Sequence, residues 1–463
     1  MEKISKKRKS IMTNNKFPKD FFWGTATSSY QIEGAPDAGG KGPSVWDTFS
    51  HKKDTIKNGD TGDVACDHYH LWPKDLDLLE NLGVNSYRFS IGWPRILPTG
   101  KENKPNQAGL DFYSRLVDNL LERGITPFLT LNHWDIPQGL EDEGGWTERM
   151  MVDAFVKYSY HTSKHLGDRV KHWITHNEPW CVSHIGYVAG HKPPGLKNNW
   201  AKSLSAAHHL LLSHGMAIPE IRNNAQDAKI GITLNLNTAI PASPSEHDKK
   251  ACDFFDNMFN RLFLEPLYNK KYPLELFDEL KKRKNITDED LNFIKGNDLE
   301  IIAQKTDFLG VNYYSRGVIR NEEISEEENL PKNIEMGPKT DFGWEVYPPG
   351  LYDLLMKLKK EYCVEAIFIT ENGCSYSDAP NEENKIKDQR RIDYHHTHLI
   401  EIQKAINDGV DCKGYFAWSL MDNFEWAQGF SQRFGLVWVD FESLDRIPKE
   451  SYHWYKNYIS NNK

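Results

Sequence analysis

Two short segments of the chain end in a glutamate where a glutamate is costly. His172-Trp173-Ile174-Thr175-His176 runs into Asn177-Glu178-Pro179, and Ala366-Ile367-Phe368-Ile369-Thr370 runs into Glu371-Asn372-Gly373. Each segment is apolar, aromatic or β-branched, the pattern of a buried strand, and each stops at a Pro or Gly. A carboxylate at the end of a buried strand is unfavourable unless it lines a cavity. Two such carboxyls on two strands of one fold are the equipment for cleaving a glycosidic bond. One protonates the leaving oxygen and the other attacks the anomeric carbon.

Eight strand-like segments are spaced to hold groups of this kind. They cover residues 22–28, 86–93, 127–134, 172–178, 230–237, 308–314, 366–371 and 415–420. Their interiors are apolar runs rather than strict alternations, as parallel strands covered on both faces require. Helical patterns lie between them. Leu110, Tyr113, Leu116, Val117, Leu120 and Leu121 recur at helical spacing and stop at Gly124. A second helix is expected over 75–82, with Pro73 near its start and Gly83 after its end. Eight alternating units in one chain predict an α/β fold, a single (β/α)8 TIM barrel with extended βα loops, occupying residues 17–460. The extensions are expected at 34–69, 135–145 and 321–340, the last with a solvated acidic run from Glu322 to Glu328. Such barrels place chemistry at the C-terminal ends of their strands. His133-Trp134, Asn177-Glu178, Asn312-Tyr313-Tyr314, Glu371 and Trp418 all fall there.

Composition narrows the functional class. The formal charge of −9 argues against a nucleic-acid partner. Fourteen Trp, by contrast, suit a cleft whose flat rings stack on the apolar faces of sugars. The six Cys are scattered with no C-x-x-C pair, so free buried thiols in a reducing compartment are expected. Residues 1–16 form a basic tail, expected to be disordered, with Lys3, Lys6, Lys7, Arg8 and Lys9. No apolar h-region follows it, which predicts a cytoplasmic protein rather than a secreted one. No run of eighteen apolar residues predicts a membrane span. His395, His396 and His398 are read as a polar helix face rather than a metal site, and His68 and His70 as structural. Neither H-E-x-x-H nor G-x-S-x-G occurs. Gly39-Gly40-Lys41-Gly42 lacks the hydroxyl residue and the first Gly of a phosphate loop. No cofactor and no metal are expected, and a homo-oligomer is left open.

Four motifs, in order, resemble glycoside hydrolase family 1, the β-glucosidase family. They are the run from Phe22-Trp23-Gly24-Thr25-Ala26 to Gln31-Ile32-Glu33-Gly34, Thr175-His176-Asn177-Glu178-Pro179, Ile369-Thr370-Glu371-Asn372-Gly373, and the run from Trp418-Ser419-Leu420 to Phe424-Glu425-Trp426. The resemblance runs from Phe17 to about Tyr458. It implies a retaining hydrolysis of small β-glucosides, with carboxyl groups about 5–5.5 Å apart. Glu178 would be the general acid/base, protonated when the leaving group departs, and Glu371 the ionised nucleophile. Tyr314 and Arg88 would support the nucleophile, and Asn177 would bind the sugar 2-hydroxyl. Gln31, His133, Glu425 and Trp426 would bind the other hydroxyls over a stacking floor at Trp418. Trp344, Trp180 and Ile185 are candidates for the leaving-group side.

Three relatives must be told apart. A branch taking 6-phosphorylated sugars places Ser, Lys and Tyr where this chain has Glu425, Gln432 and Phe434. A buried carboxylate there would repel a phosphate. A thioglucosidase branch replaces the acid/base glutamate by Gln, and Glu178 is present. A catalytically silent sugar-binding protein on the same fold would usually have lost one of the two glutamates. A β-glucosidase with side β-galactosidase and β-fucosidase activity is the expected function.

Overall fold

The computed structural model describes residues 16–324, 331–333 and 337–462. All but Lys16 of the basic tail expected at 1–16, and the greater part of the acidic run, therefore lie outside the described residues. Eight parallel strands close into a barrel in chain order. They are β1 (Phe22–Ala26), β2 (Ser86–Ser90), β3 (Thr126–Asn132), β4 (His172–Asn177), β5 (Lys229–Asn235), β6 (Phe308–Asn312), β7 (Ile367–Asn372) and β8 (Cys412–Trp418). All eight expected strands are present. Closure joins β1 to both neighbours, so Ala26 lies opposite Trp418 on one side and Arg88 on the other.

The lower barrel is filled by aromatic side chains. Phe128 meets Phe416 at 4.8 Å and Phe368 at 5.2 Å, Phe308 meets Phe368 at 5.0 Å, and the His172 ring lies flat on Phe128 at 4.1 Å. Edge-on and tilted rings pack such a space without voids. Burial holds His172 down to about 4, so it fits this layer as a neutral ring. With the floor apolar, the polar side chains of the barrel are left to the C-terminal strand ends.

The outer ring is helical: α1 (His68–Leu82), α2 (Gln107–Glu122), α3 (Met150–Leu166), α4 (Trp200–Asn224), α5 (Glu246–Asp256), α6 (Leu262–Asn269), α7 (Leu274–Lys284), α8 (Pro348–Tyr362), α9 (Gln389–Asn407) and α10 (Glu450–Asn462). Leu110, Leu116, Val117 and Leu120 of α2 are buried against the barrel, as their spacing predicts. No helix among the described residues is long and apolar enough to cross a membrane.

Four expectations are corrected. Helix α1 begins at His68, not near Asp75, and carries Pro73 within it. Pro73 is on the exposed face, where water can serve the carbonyl that it leaves without a donor. Residues 317–324, at the edge of the expected acidic loop, form a strand that pairs with Ala239–Pro241. The three histidines of α9 are not one polar face. His395 and His398 are buried with Leu399 and Ile402, and only His396 faces out. The Nδ1 atoms of the buried pair are satisfied by the Tyr415 hydroxyl and the Tyr394 carbonyl, both at 2.7 Å. Last, five of the six free cysteines are buried as expected, but Cys363 is exposed. His68 is structural, bound to buried Asp75 at 2.8 Å, and exposed His70 pairs with Asp67.

Candidate active site

The strand ends converge on Arg88, which rises from β2 into the barrel mouth and is buried. Its guanidinium ties four strands together. Nη1 donates to Glu371 Oε1 at 2.6 Å and to the Thr370 carbonyl at 3.1 Å, Nη2 to Asn177 Oδ1 at 2.6 Å, and Nε to Thr130 Oγ1 at 3.2 Å. A planar fork of five fixed donors suits this task as an ammonium would not. The Tyr314 hydroxyl donates to the other oxygen of Glu371 at 2.6 Å. Burial and the charge of Glu371 keep the Tyr314 phenol far above its usual range, so it remains a donor. Gly373 follows directly. A Cβ there would lie 1.8 Å from the Trp418 carbonyl oxygen, so only glycine lets the ends of β7 and β8 close around Glu371.

Glu178 sits just past β4 with a positive φ of 48°. Trp134 (φ 79°) and Trp426 (φ 50°) share this left-handed conformation. Such backbone costs about 1–3 kcal/mol for a non-glycine residue and gathers where surrounding structure holds a functional group in place. Glu178 Oε1 accepts from Asn312 Nδ2 at 2.7 Å, and Oε2 accepts from the Cys181 thiol at 3.0 Å. Asn312 Nδ2 also reaches Asn177 Oδ1 at 3.1 Å, and its own Oδ1 is taken by Thr370 Oγ1 at 2.8 Å. One hydrogen-bonded chain therefore runs from Glu178 through Asn312, Asn177 and Arg88 to Glu371. Burial pushes Glu371 up to about 7; Arg88 opposes this, the charge of Glu178 adds to it, and Tyr314 opposes it.

His133, Trp418 and Trp426 form a cluster of rings beside Asn177. Asn177 Oδ1 is occupied by Arg88 and Asn312, so its Nδ2 faces His133 Nε2 at 3.1 Å. That assignment puts the ring hydrogen of His133 on Nδ1, which is buried and has no partner among the described residues. Burial, followed by the charges of Arg88 and Lys192, holds His133 well below its usual range, so the ring is neutral. It lies nearly parallel to both Trp418 and Trp426, 5.9 Å from each. Gln31 is more constrained than a free hydrogen-bonding wall. Its Oε1 accepts from Ser28, and its Nε2 is aimed at Asn423 Oδ1 and the Phe424 carbonyl, with Glu425 Oε2 farther off at 3.5 Å. The 419–426 loop that carries Glu425 is anchored below by buried Asp422, which pairs with Lys449 and Arg433, each at 2.8 Å. Trp344 packs on Tyr314 at 5.1 Å. Trp180 instead stacks on His184 and abuts Phe259, and Ile185 packs on the core.

Buried strand-end carboxyls joined by one donor network at the mouth of a barrel match what family comparison finds. The family model for glycosyl hydrolase family 1 matches residues 13–463. The chain belongs to glycosyl hydrolase family 1. It is 46% identical to beta-glucosidase A of Thermotoga maritima, over 97% of this chain and 99% of that protein. It is 45% identical to a bifunctional beta-D-glucosidase/beta-D-fucosidase of Bifidobacterium breve, over 96% and 98%. The solved beta-glucosidase of Thermotoga maritima in complex with glucoimidazole superposes with a TM-score of 0.91 at 46% identity, covering 97% of this chain and 99% of that one. As a family 1 member, the protein is a glycosidase.

Three residues of the site escaped prediction from sequence. Asn312 falls in the strand-end cluster, yet only the fold shows it touching Glu178. Cys181 lies three residues after Glu178, a spacing with a signal only once 181–189 is known to be helical. Lys192, whose ammonium sits 3.3 Å from the Trp134 ring centre, lies in a loop and carries no sequence signal.

Proposed function

We propose that this family 1 glycosidase is a retaining β-glucosidase. It removes terminal non-reducing β-D-glucosyl residues from cellobiose, short cello-oligosaccharides and aryl or alkyl β-glucosides. The observation that carries this reading is the unequal treatment of two carboxyls in one pocket. Glu371 is met by a guanidinium, which only donates and carries a full positive charge, and by a phenol that donates to its other oxygen, and both favour its charged form. Glu178 is met by a neutral amide and a thiol. The first arrangement suits a nucleophile and the second a group that must give up and regain a proton.

In this mechanism Glu371 attacks the anomeric carbon while Glu178 protonates the departing oxygen. The covalent glycosyl-enzyme is then opened by water, from which Glu178 takes a proton. Asn177, oriented from both sides by Arg88 and Asn312, holds the 2-hydroxyl, where a contact that strengthens in the transition state contributes most. The free Nδ1–H of His133, the Glu425 carboxylate and Trp426 bind the other hydroxyls, and Trp418 is the floor. The name of the Bifidobacterium breve relative supports side activity on β-fucosides. Glu425, and Gln432 engaged by Ser375 at 2.7 Å, weigh against a 6-phosphorylated substrate. Six free thiols fit a reducing, cytoplasmic setting.

The test is turnover of p-nitrophenyl β-glucoside by wild type, Glu371→Gln and Glu178→Ala with azide. Expected are activity in the first, loss in the second, and azide rescue yielding β-glucosyl azide in the third. An α-configured azide product, or undiminished activity of Glu371→Gln, would overturn the assignment.

A further inference from the structure

The connection from β6 to α8 carries an ion pair that the proposed mechanism does not use. Arg316 Nε donates to Glu345 Oε2 and Nη2 to Glu345 Oε1, both at 2.9 Å. The two residues are 29 positions apart, near the two ends of the connection, and Glu345 is buried. A planar fork that meets both oxygens of a carboxylate fixes direction as well as distance. The fork is also held from its face, where the guanidinium carbon lies 3.6 Å from the centre of the Tyr347 ring. The Tyr347 carbonyl in turn accepts from the Tyr313 hydroxyl at 2.7 Å.

Each partner adjoins a ring of the barrel mouth. Arg316 comes two positions after Tyr314, whose hydroxyl donates to Glu371. Glu345 directly follows Trp344, whose ring packs on Tyr314 at 5.1 Å. Trp344 is carried on a narrow turn. Thr340 N–H donates to the Trp344 carbonyl at 2.9 Å, Gly343 N–H to the Thr340 carbonyl at 2.9 Å, and Val346 N–H to the Pro338 carbonyl at 2.7 Å. At its tip Phe342 packs on Trp344 at 4.2 Å, and both rings lie 5.9 Å from Phe434. The tip is moored on its far side, where Asp341 N–H donates to the Ser375 carbonyl and Ser377 N–H to the Asp341 carboxylate. Toward Tyr314 the ring contact is apolar and non-directional. The Arg316–Glu345 fork supplies the direction on that side.

We propose that Arg316 and Glu345 are positioning residues for the leaving group: their pair fixes the Trp344 ring against Tyr314 and so sets how the enzyme accepts a leaving group large enough to reach that ring. Trp344 has the right place for this. Its ring pairs are Tyr314, Phe342 and Phe434, so it stands beside the phenol that serves Glu371 and outside the cluster of His133, Trp418 and Trp426. Phe342 and Trp344 are half-buried, which leaves part of each ring open to a ligand. Only the first half-reaction would feel the pair, because the leaving group has gone once the glycosyl-enzyme forms. A lysine at 316 would keep the charge but lose the second bond and with it the fixed direction.

This inference rests on the β-glucosidase reading, so its test includes a readout that needs no turnover. Arg316→Lys keeps the charge but not the fork; Glu345→Gln keeps the shape but not the charge. Both are assayed on methyl β-glucoside, whose leaving group is too small to reach Trp344, and on cellobiose, alone and combined with Trp344→Ala. On cellobiose kcat/KM is expected to fall about tenfold, mainly through KM, while methyl β-glucoside stays within about twofold of wild type. In the Trp344→Ala background the same substitutions should cause no further loss. Calorimetry should show the same split. Glucoimidazole binding is expected to be unchanged, and a glucoimidazole bearing an aryl group on the leaving-group side should bind about tenfold more weakly. Equal losses on both substrates would mean general damage to the site and overturn the proposal. No loss on cellobiose, or a full loss in the Trp344→Ala background, would overturn it as well. Absence of turnover in wild type would overturn the functional reading, while the ratio of the two affinities would still decide the role of the pair.

Discussion

Replacing Tyr314 by Phe removes one hydroxyl and leaves the ring and its contact with Trp344 in place. The lost bond is a 2.6 Å donation to a buried carboxylate oxygen. Charge-assisted bonds of this kind contribute about 2 kcal/mol. Phe makes no bond to either protonation state, so that amount falls mainly on the charged form of Glu371. At about 1.4 kcal/mol per unit, the carboxyl should rise by about 1.5 pH units. The sign is fixed by the direction of the bond. Tyr314 pulls Glu371 down, so its loss pushes the titration up, and activity that requires ionised Glu371 is lost at a higher pH than in wild type. The assay is kcat/KM against pH, whose acidic limb reports the free enzyme. At a pH on the wild-type limb the variant should fall a further ~30-fold below its own plateau, a gap that disappears on the alkaline side. An acidic limb that stays in place, with kcat/KM reduced equally at every pH, would refute the claim that Tyr314 sets the charge state of Glu371.

Asn312→Ala takes one donor from Glu178 and another from Asn177, both buried. Chemical denaturation should show a loss of about 2–4 kcal/mol, and kcat should fall more than KM rises. His133→Phe keeps a flat ring between Trp418 and Trp426 but removes the unpartnered Nδ1–H and leaves Asn177 Nδ2 without an acceptor. A loss in kcat/KM of about 10–100-fold is expected, measured against a 3-deoxy or 4-deoxy glucoside to identify the hydroxyl concerned.

The barrel was legible in the sequence because parallel strands buried on both faces leave largely apolar runs, and here six of the eight end in Ser or Asn. Glu178, Glu371, Asn177 and Tyr314 come together at the strand ends where they were expected, and Arg88, implied by the family resemblance alone, joins them from the middle of β2. What was not legible depends on which way a side chain turns. The α9 histidines sit among charged neighbours in sequence, but 395 and 398 share the inner stripe with Leu399 and Ile402, and a hydrogen bond to each ring makes burial affordable. Gln31 carries a side chain suited to binding a diol, yet Ser28 engages the oxygen of the amide and the 419–426 loop its nitrogen. Lys192 lies in a connection whose path is set by backbone bonds to residues 186–188, and backbone bonds of that kind leave no trace in residue type.

The asymmetry between the two carboxyls follows from Asn312. Its Oδ1 is held by the Thr370 hydroxyl, so the amide cannot flip, and Nδ2 must present hydrogens to Glu178 Oε1 and Asn177 Oδ1. That leaves Glu178 Oε2, facing Cys181, as the oxygen where a proton meets least opposition. A thiol can donate to a carboxylate or accept from a carboxylic acid by rotating about one bond. Glu371 is held instead by a guanidinium, which never accepts and carries a full positive charge, with the Tyr314 phenol donating to its other oxygen. The strand-end network therefore sets a fixed cation against Glu371 and only neutral partners against Glu178. When Glu371 becomes an ester its charge vanishes, and the same thiol can turn to stabilise Glu178 as the base that the second half-reaction requires.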